Sequence, residues 1–450
     1  MRKIFYFIVC SLFIVQYSAA QTIIHRDAEI EQMVKEISSD SLKSYILKMV
    51  SFGTRSTLST TTDKKHGIGA AREWVVHKFS EFAKNSGGRM TAFVDTVTLK
   101  ADGRRVDVTT SLGNAMAVLK GTDPNDDRVY IISGHLDSRV TDVMNRTSDA
   151  PGANDDGSGS AAVIECARVM SKHSFPATII FVTVSGEEQG LLGSTFLANK
   201  AKAQNWNVDA MLNNDIVGSN NSNETNIIDN TRFRVFSEAF ATTDTGRIAQ
   251  NIRNFGLEND GKARQLARYV KETGERYVDN LEVVMVYRND RFLRGGDHSP
   301  FVQKGFAAVR LTEMNENYNH QHQDLRTEKG IVYGDLPEFM DFEYLRKNTG
   351  VNLSTLANLA KAPSMPQDVK VEVRNLTNST TLNWKAPKNG KPKAYYILMR
   401  ETTSPVWQKK IYTEQNSITL PYSKDNYFFA VQSISETGNE SLPVVPGVGR

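Results

Sequence analysis

Apolar residues recur at helical spacing through residues 27 to 50, at Ile30, Met33, Val34 and Ile37 and again at Leu42, Ile46 and Val50, so this pattern predicts helices at the start of the chain. A second core-facing stripe, Ala70, Ala71, Trp74, Val75, Phe79 and Phe82, predicts another helix over residues 67 to 86. The period then falls to two. Residues 91–99 and 114–119 read as strands, and residues 129–133 as a short apolar strand buried in a sheet. Beyond it the predicted elements alternate: helix 161–172, strand 178–184, helix 190–204, strand 208–213. That alternation predicts an α/β fold, a mixed sheet flanked by helices, and such sheets collect their sites in the loops beyond the carboxyl ends of the strands.

Pro363 and Pro366 punctuate the chain, and the texture after them is alternating: Val369, Val371 and Val373, then Thr381, Leu382 and Trp384, then residues 395–399 and 427–431. Short strands separated by turn residues predict a small all-β sandwich over residues 363–450. The Trp384 strand, the closing Tyr427, Phe429 and Val431, and the Gly438-Asn439-Glu440-Ser441 turn resemble a fibronectin type III module. A chain of 450 residues exceeds one ordinary core, which agrees with two domains.

Charge narrows the partners. With 54 basic and 51 acidic residues and a formal net charge of +3, no polyanionic partner is indicated, which excludes a nucleic-acid binder. At the N-terminus, Arg2 and Lys3 precede an apolar run over residues 4–15 and the small residues Ser18, Ala19 and Ala20. This order predicts a signal peptide over residues 1–20 and an exported protein, periplasmic or extracellular. The run is too short for a membrane span of about 20 residues. Cys10 falls inside that leader and Cys166 inside a predicted helix, so the exported chain has no cysteine pair, and Cys166 reads as a small core residue.

Five segments carry candidate chemistry. In Ser133-Gly134-His135-Leu136-Asp137, a strand-end histidine with a carboxylate two positions on can offer neutral imidazole to a metal while the acid orients the ring. Asn154-Asp155-Asp156-Gly157-Ser158 is a turn opening a helix. Asp156 and Ser158 suit an N-cap, but adjacent acids repel unless a cation lies near. Glu187-Glu188 follows the predicted strand 178–184, where one glutamate can bind metal and its neighbour can move a proton. Asp215 closes another predicted strand, and Asn319-His320-Gln321-His322-Gln323-Asp324 holds two histidines. Histidine and carboxylate ligands without thiolates suit zinc.

In the order and content of these motifs, residues 27 to 360 resemble the co-catalytic di-zinc exopeptidase family that includes secreted bacterial leucyl aminopeptidases. The resemblance implies a di-zinc peptidase domain over residues 21–362, two zinc ions per chain and a peptide or protein substrate. It implies that His135 and Asp215 hold one zinc, that Glu188 and His320 hold the other, and that Asp155 bridges them. Glu187 becomes the general base and Asp137 the partner of His135. Asp156 could replace Asp155, and His322 could replace His320. His320 is preferred because it lies four residues before Asp324, as the family's ligand does before its own aspartate. Asp297 and His298, in a segment like the family's Ser-Asp-His-x-x-Phe, become substrate contacts or a hydrogen-bonded structural turn. Tyr318 stands one step from the position where some relatives carry an oxyanion-stabilising tyrosine. Three rivals remain: a carboxypeptidase or dipeptidase of the same family, a glutaminyl cyclase using one zinc, and an inactive binding protein. Aromatics of the C-terminal module such as Tyr395 and Trp407 could contact a surface or polymer, but core packing is the preferred reading.

Overall fold

The computed structural model describes residues 24–449, so the segment expected to be a signal peptide and Cys10 lie outside the described residues. The chain opens with α1 (Ala28–Lys35), α2 (Ser39–Val50) and α3 (Gly67–Ala83). The Asp27 side chain accepts from Glu29 N and that of Ser38 from Ser41 N, capping the first two helices. The expected stripe is the buried one: Ile30, Met33, Leu42, Ile46 and Phe79 are sealed from solvent.

Eight strands form one sheet. They are β1 (Met90–Leu99), β2 (Thr110–Leu119), β3 (Arg128–His135), β4 (Thr178–Val184), β5 (Asn207–Asn214), β6 (Arg232–Phe236), β7 (Glu282–Val286) and β8 (Ala308–Glu313). Their spatial order is β1-β2-β4-β3-β5-β8-β6-β7. The centre, β4-β3-β5-β8, is parallel, and antiparallel pairs join it to β2 and β6. Helices α4 (Gly157–Met170), α5 (Leu192–Ala203), α6 (Gly246–Phe255), α7 (Lys262–Tyr277), α8 (His298–Gln303) and α9 (Phe342–Lys361) complete the domain.

Alternate side chains serve opposite faces of the sheet, as the pleat requires. Tyr130, Ile132, Ile179 and Phe181 join the core beneath the helices that include α3, α4 and α9, while Ile131, Ile180 and Val182 meet Leu197 of α5 and Phe301 of α8. Cys166 is wholly buried in the first of these cores. From β3 the chain crosses through α4 to β4 on one side, then through α5 to β5 on the other. The strand order therefore reverses at β3, and a crevice opens at the carboxyl ends of β3, β4 and β5.

The small hairpin β9 (Arg326–Glu328) and β10 (Ile331–Tyr333) precedes α9. After α9 the strands β11 (Gln367–Glu372), β12 (Thr380–Lys385), β13 (Ala394–Glu401), β14 (Lys409–Thr413), β15 (Ser417–Leu420), β16 (Tyr427–Ile434) and β17 (Gly447–Gly449) form two sheets, β15-β12-β11-β17 and β14-β13-β16. Leu382 and Trp384 from one sheet and Ile397 and Val431 from the other fill the space between them, giving a sandwich. Tyr395 packs against Trp384 at 5.3 Å between ring centres, and Trp407 packs beside Ala394 and Leu398, so both rings serve internal packing.

The sandwich docks on the larger domain through buried ion pairs. Glu440 meets Arg276 at 2.9 Å and Lys410 at 2.8 Å, and Asp260 meets Arg268 at 3.0 Å and Arg400 at 2.6 Å. Lys388 reaches Asp127, just before β3, at 2.8 Å, so this contact lies at the amino end of β3, opposite the crevice. No helix among the described residues is long and apolar enough to cross a membrane.

Candidate metal centre

Backbone geometry brings the crevice residues together. Gly134, near the end of β3, runs so close to α4 that a Cβ there would lie 2.5 Å from the Gly159 carbonyl carbon. Glycine at this position lets the first turn of α4 sit flush against the strand ends. The Asp156 carboxylate then ties three elements through backbone N–H groups: His135 at 2.8 Å, Gly159 at 2.8 Å and Ile216 at 3.2 Å. Its oxygens are committed to capping and tying. The neighbouring Asp155, joined to it by a cis peptide bond, faces the crevice instead.

Asp155 connects two groups of ligand-type atoms. One comprises His135, Asp155 and Asp215, and the other Asp155, Glu188 and His322, with the offered atoms of each group within 4.8 Å of one another. Asp155 Oδ1 lies 3.1 Å from His135 Nε2, and Asp155 Oδ2 lies 2.9 Å from His322 Nε2. Asp215 Oδ1 stands 4.0 Å from His135 Nε2, and Glu188 Oε1 stands 3.1 Å from His322 Nε2. His135 Nδ1 is 3.0 Å from the carbonyl oxygen of Asp137. A carbonyl only accepts, so Nδ1 carries the hydrogen and Nε2 is left with its lone pair toward the carboxylates.

The electrostatics call for a cation. Burial raises the Glu187 carboxyl well above its ordinary range, and the neighbouring Glu188, Asp215 and Asp297 add to this. Burial opposes charge on His322, but Glu188 and Asp155 outweigh it and lift the imidazole to about 10. The buried Glu188 Oε1 has no hydrogen-bond partner. Carboxylates and imidazoles facing one another in two groups with a shared acid, with no thiolate among them, fit zinc in both groups.

The outer residues set the ligands in place. Asp137 accepts the backbone N–H groups of Glu187 at 3.4 Å and Glu188 at 3.2 Å, so it orients the β4 loop as well as lying 3.7 Å from His135 Nδ1. Arg310 Nη2, fully buried, lies 3.1 Å from Asp215 Oδ2. Ile216 takes φ +52°, a left-handed conformation that is costly for a β-branched residue. It is held there by Asp156 on its N–H and by Glu313 N, at 2.8 Å, on its carbonyl.

The structure brings His135, Asp155, Glu188 and Asp215 together as expected, but not His320. The His320 ring is stacked on Phe339, with centres 3.6 Å apart and planes at 5°, and it is His322 that meets Asp155 and Glu188. His322 has φ +54°, so the loop reverses at this residue. Asp297 and His298 are fully buried. Burial pushes the Asp297 carboxyl up to about 7, and His298 Nε2 donates to the Asn289 carbonyl at 2.8 Å, a contact of the structural-turn kind. Tyr318 is 54% exposed.

Two positioning residues escaped the sequence reading. Arg55, fully buried, donates to the carbonyls of Leu136 at 2.7 Å, Pro151 at 2.6 Å and Gly152 at 2.8 Å, clamping the β3 exit to the acidic turn. Asp335 accepts from Asn154 N at 2.9 Å and Asp155 N at 2.7 Å. No local motif marks either residue. Glu313 did carry a signal, because it ends β8 as Asp215 follows β5.

Residues 114–334 match the model of peptidase family M28. The chain is 43% identical over 424 residues to a probable zinc metalloprotease of Leptosphaeria maculans, covering 94% of this chain and 98% of that one. Its fold is similar to that of the Legionella pneumophila LapA aminopeptidase, with a TM-score of 0.52, 21% identity and coverage of 75% of this chain and 76% of that one. It is also similar to that of Porphyromonas gingivalis glutaminyl cyclase, with a TM-score of 0.50, 18% identity and coverage of 71% and 98%.

Proposed function

The chain belongs to peptidase family M28, a metallo-peptidase hydrolase with zinc as its metal, and on that premise we propose that it is an exported di-zinc aminopeptidase. The observation that carries the two-metal reading is Asp155, which turns one carboxylate oxygen to His135 and the other to His322. Asp155 and Asp215 with His135 would hold one zinc, and Asp155 and Glu188 with His322 the other. The export reading rests on the leader pattern of residues 1–20.

Bound zinc supplies Lewis acidity to the scissile carbonyl and acidifies water at neutral pH. The remaining work falls to the chain's own groups. Glu187, which belongs to neither ligand group, takes the proton from the attacking water and returns it to the departing amine. Asp137 fixes the backbone from which Glu187 and Glu188 extend.

The test offers purified protein free-amine and N-blocked peptides with and without chelator, alongside zinc counting. Chelator-sensitive release of amino-terminal residues, with two zinc ions per chain, is the expected result. Cleavage of only N-blocked peptides from their carboxyl end would overturn the aminopeptidase reading. A single tightly held zinc with cyclisation of amino-terminal glutamine would assign the glutaminyl cyclase reaction instead.

A further inference from the structure

The parallel strands deliver one acid that the metal centre does not use. Glu313 ends β8, the neighbour of β5, and lines a cavity of about 20 Å³ whose walls also include Asp155, Gln321, Ser219, His320 and Phe339. Asp155 and Gln321 belong to the metal centre too, where Gln321 Nε2 donates to Asp155 Oδ2 at 3.1 Å. The cavity therefore adjoins the reaction site, and its volume admits one or two water-sized groups.

The polar atoms facing it are unevenly matched. Glu316, also in its wall, is neutralised by Arg234 at 2.8 Å and Arg291 at 2.7 Å. Glu313 receives only neutral donors, Asn154 Nδ2 at 2.9 Å and Ser219 N at 2.7 Å, and no cation among the described residues forms an ion pair with it. Burial accordingly raises its carboxyl well above the ordinary range. Ser219, 4% exposed, has an Oγ with no hydrogen-bond partner, and His320 Nδ1 is buried and unpartnered as well.

A carboxylate, a hydroxyl oxygen and an imidazole nitrogen can all accept, so the occupant they suit is a compact cation that only donates. A metal ion fits poorly, because among the described residues three ligand-type atoms converge only in the two groups of the metal centre. A primary ammonium is of water size and brings three donors. A buried carboxylate without a cation is costly, and such a group would relieve it.

We propose, building on the aminopeptidase reading, that this cavity receives a primary ammonium group of the peptide substrate and that Glu313 is the specificity-determining residue for it. The cavity shares Asp155 and Gln321 with the metal centre, so an amino-terminal lysine whose peptide bond is held at that centre would bring its ε-ammonium toward the cavity. The α-ammonium is the other source of the same chemistry.

The experiment compares kcat/KM for lysine, norleucine and alanine 4-nitroanilides with the zinc-loaded full chain, its Glu313→Gln variant and its Ser219→Ala variant, with zinc content measured throughout. Lysine and norleucine share a stem and differ in the charge. Lysine is expected to exceed norleucine by about 10-fold or more, as for a substrate group that satisfies a buried polar site. Glu313→Gln, which keeps an oxygen for Asn154 and Ser219, should remove most of that ratio, and Ser219→Ala a smaller part. A rise in KM shared by all three substrates, at unchanged kcat and zinc content, would assign the ammonium to the α-amine. Equal rates for lysine and norleucine in the parent, with no change of KM in Glu313→Gln, overturn the proposal. A parent inactive on all three substrates fails the aminopeptidase reading itself.

Discussion

Two of the places where this molecule buries charge handle it differently. Where the sandwich docks, Glu440 is held between Arg276 and Lys410, and Asp260 between Arg268 and Arg400. Each carboxylate there has protein cations, so the arrangement is complete without a ligand. At the carboxyl ends of β3, β4 and β5, Asp155, Glu188 and Asp215 converge with two imidazoles, the Asp215–Arg310 pair and a looser 3.8 Å contact from Arg139 to Glu188. Glu188 Oε1 is left without a hydrogen bond. Buried like charges are costly unless a cation intervenes. The difference separates a structural use of buried charge from a functional one: the docking face is satisfied by the chain, and the crevice by what it binds.

The sharpest way to break this comparison is to alter the crevice acids. Glu187→Gln should keep both zinc ions and lower kcat by about 10²–10⁴-fold, the span of a positioned general base. Asp155→Ala should lose zinc together with activity, because one carboxylate serves both groups. Elemental analysis beside peptide turnover reads both variants. Near-normal turnover in Glu187→Gln would remove it from the proton-transfer role.

The histidine loop gives a finer contrast. His322→Ala should surrender zinc to mild chelation, whereas His320→Ala should retain it, as read by zinc titration with a chromophoric competitor. Zinc loss confined to His320→Ala would mean that the loop rearranges around metal. Sequence presents both histidines and its spacing favours His320, the one the structure stacks on Phe339. The preference for His320 rested on its distance from Asp324, while the outcome depends on the left-handed turn at His322 and on Phe339 stacking against His320. Both of these are set by the path of the whole loop.

Legibility elsewhere followed the same division between local and distant causes. The helical stripes of α1 to α3 and the apolar strands β3 to β5 were readable because their burial follows a local period, and His135, Glu188 and Asp215 were readable because they follow those strands. The resemblance favours Asp155 over Asp156, since it precedes the Asp156-Gly157-Ser158-Gly159 run, but it gives no physical reason for the choice. The separation came from three backbone N–H groups, on β3, α4 and the β5 exit, that occupy Asp156. Arg55 acts on carbonyls 81 to 97 residues away, and the Glu440 pair with Arg276 spans 164 residues. No pattern in a window of one element contains such contacts. Strands β6 to β8 lie outside the elements the sequence reading predicts, although β6 alternates Arg232, Phe233, Arg234 and Val235, and Glu313 falls outside that reading with β8.

The docking face provides the smaller test. Glu440→Gln removes the buried carboxylate between Arg276 and Lys410 but leaves both cations paired with Glu272, so the cost should lie below the about 3–5 kcal/mol of a buried ion left unpaired. Zinc stoichiometry should stay the same, because Glu440 pairs with Arg276 and Lys410 and none of the three belongs to either ligand group. The loss is read from urea unfolding of the zinc-loaded protein. A variant as stable as the parent would show that the buried pair adds nothing net.

The pH dependence of that loss sharpens the comparison further, at the scale of a single titration. Burial alone would raise the Glu440 carboxyl, but Lys410 and Arg276 outweigh it and hold the group below its ordinary range. A carboxyl lowered by folding contributes stability that is fully present above its unfolded value of about 4.3 and is withdrawn as pH falls beneath that value. Glutamine at position 440 does not titrate. The stability gap between parent and Glu440→Gln should therefore be constant from about pH 8 to 5 and narrow below about pH 4. Zinc release from the crevice would lower both curves together in that range, so the gap between them, and not either curve alone, reports on Glu440. A gap that persists undiminished at about pH 3 would place its origin in packing around the side chain and not in its charge.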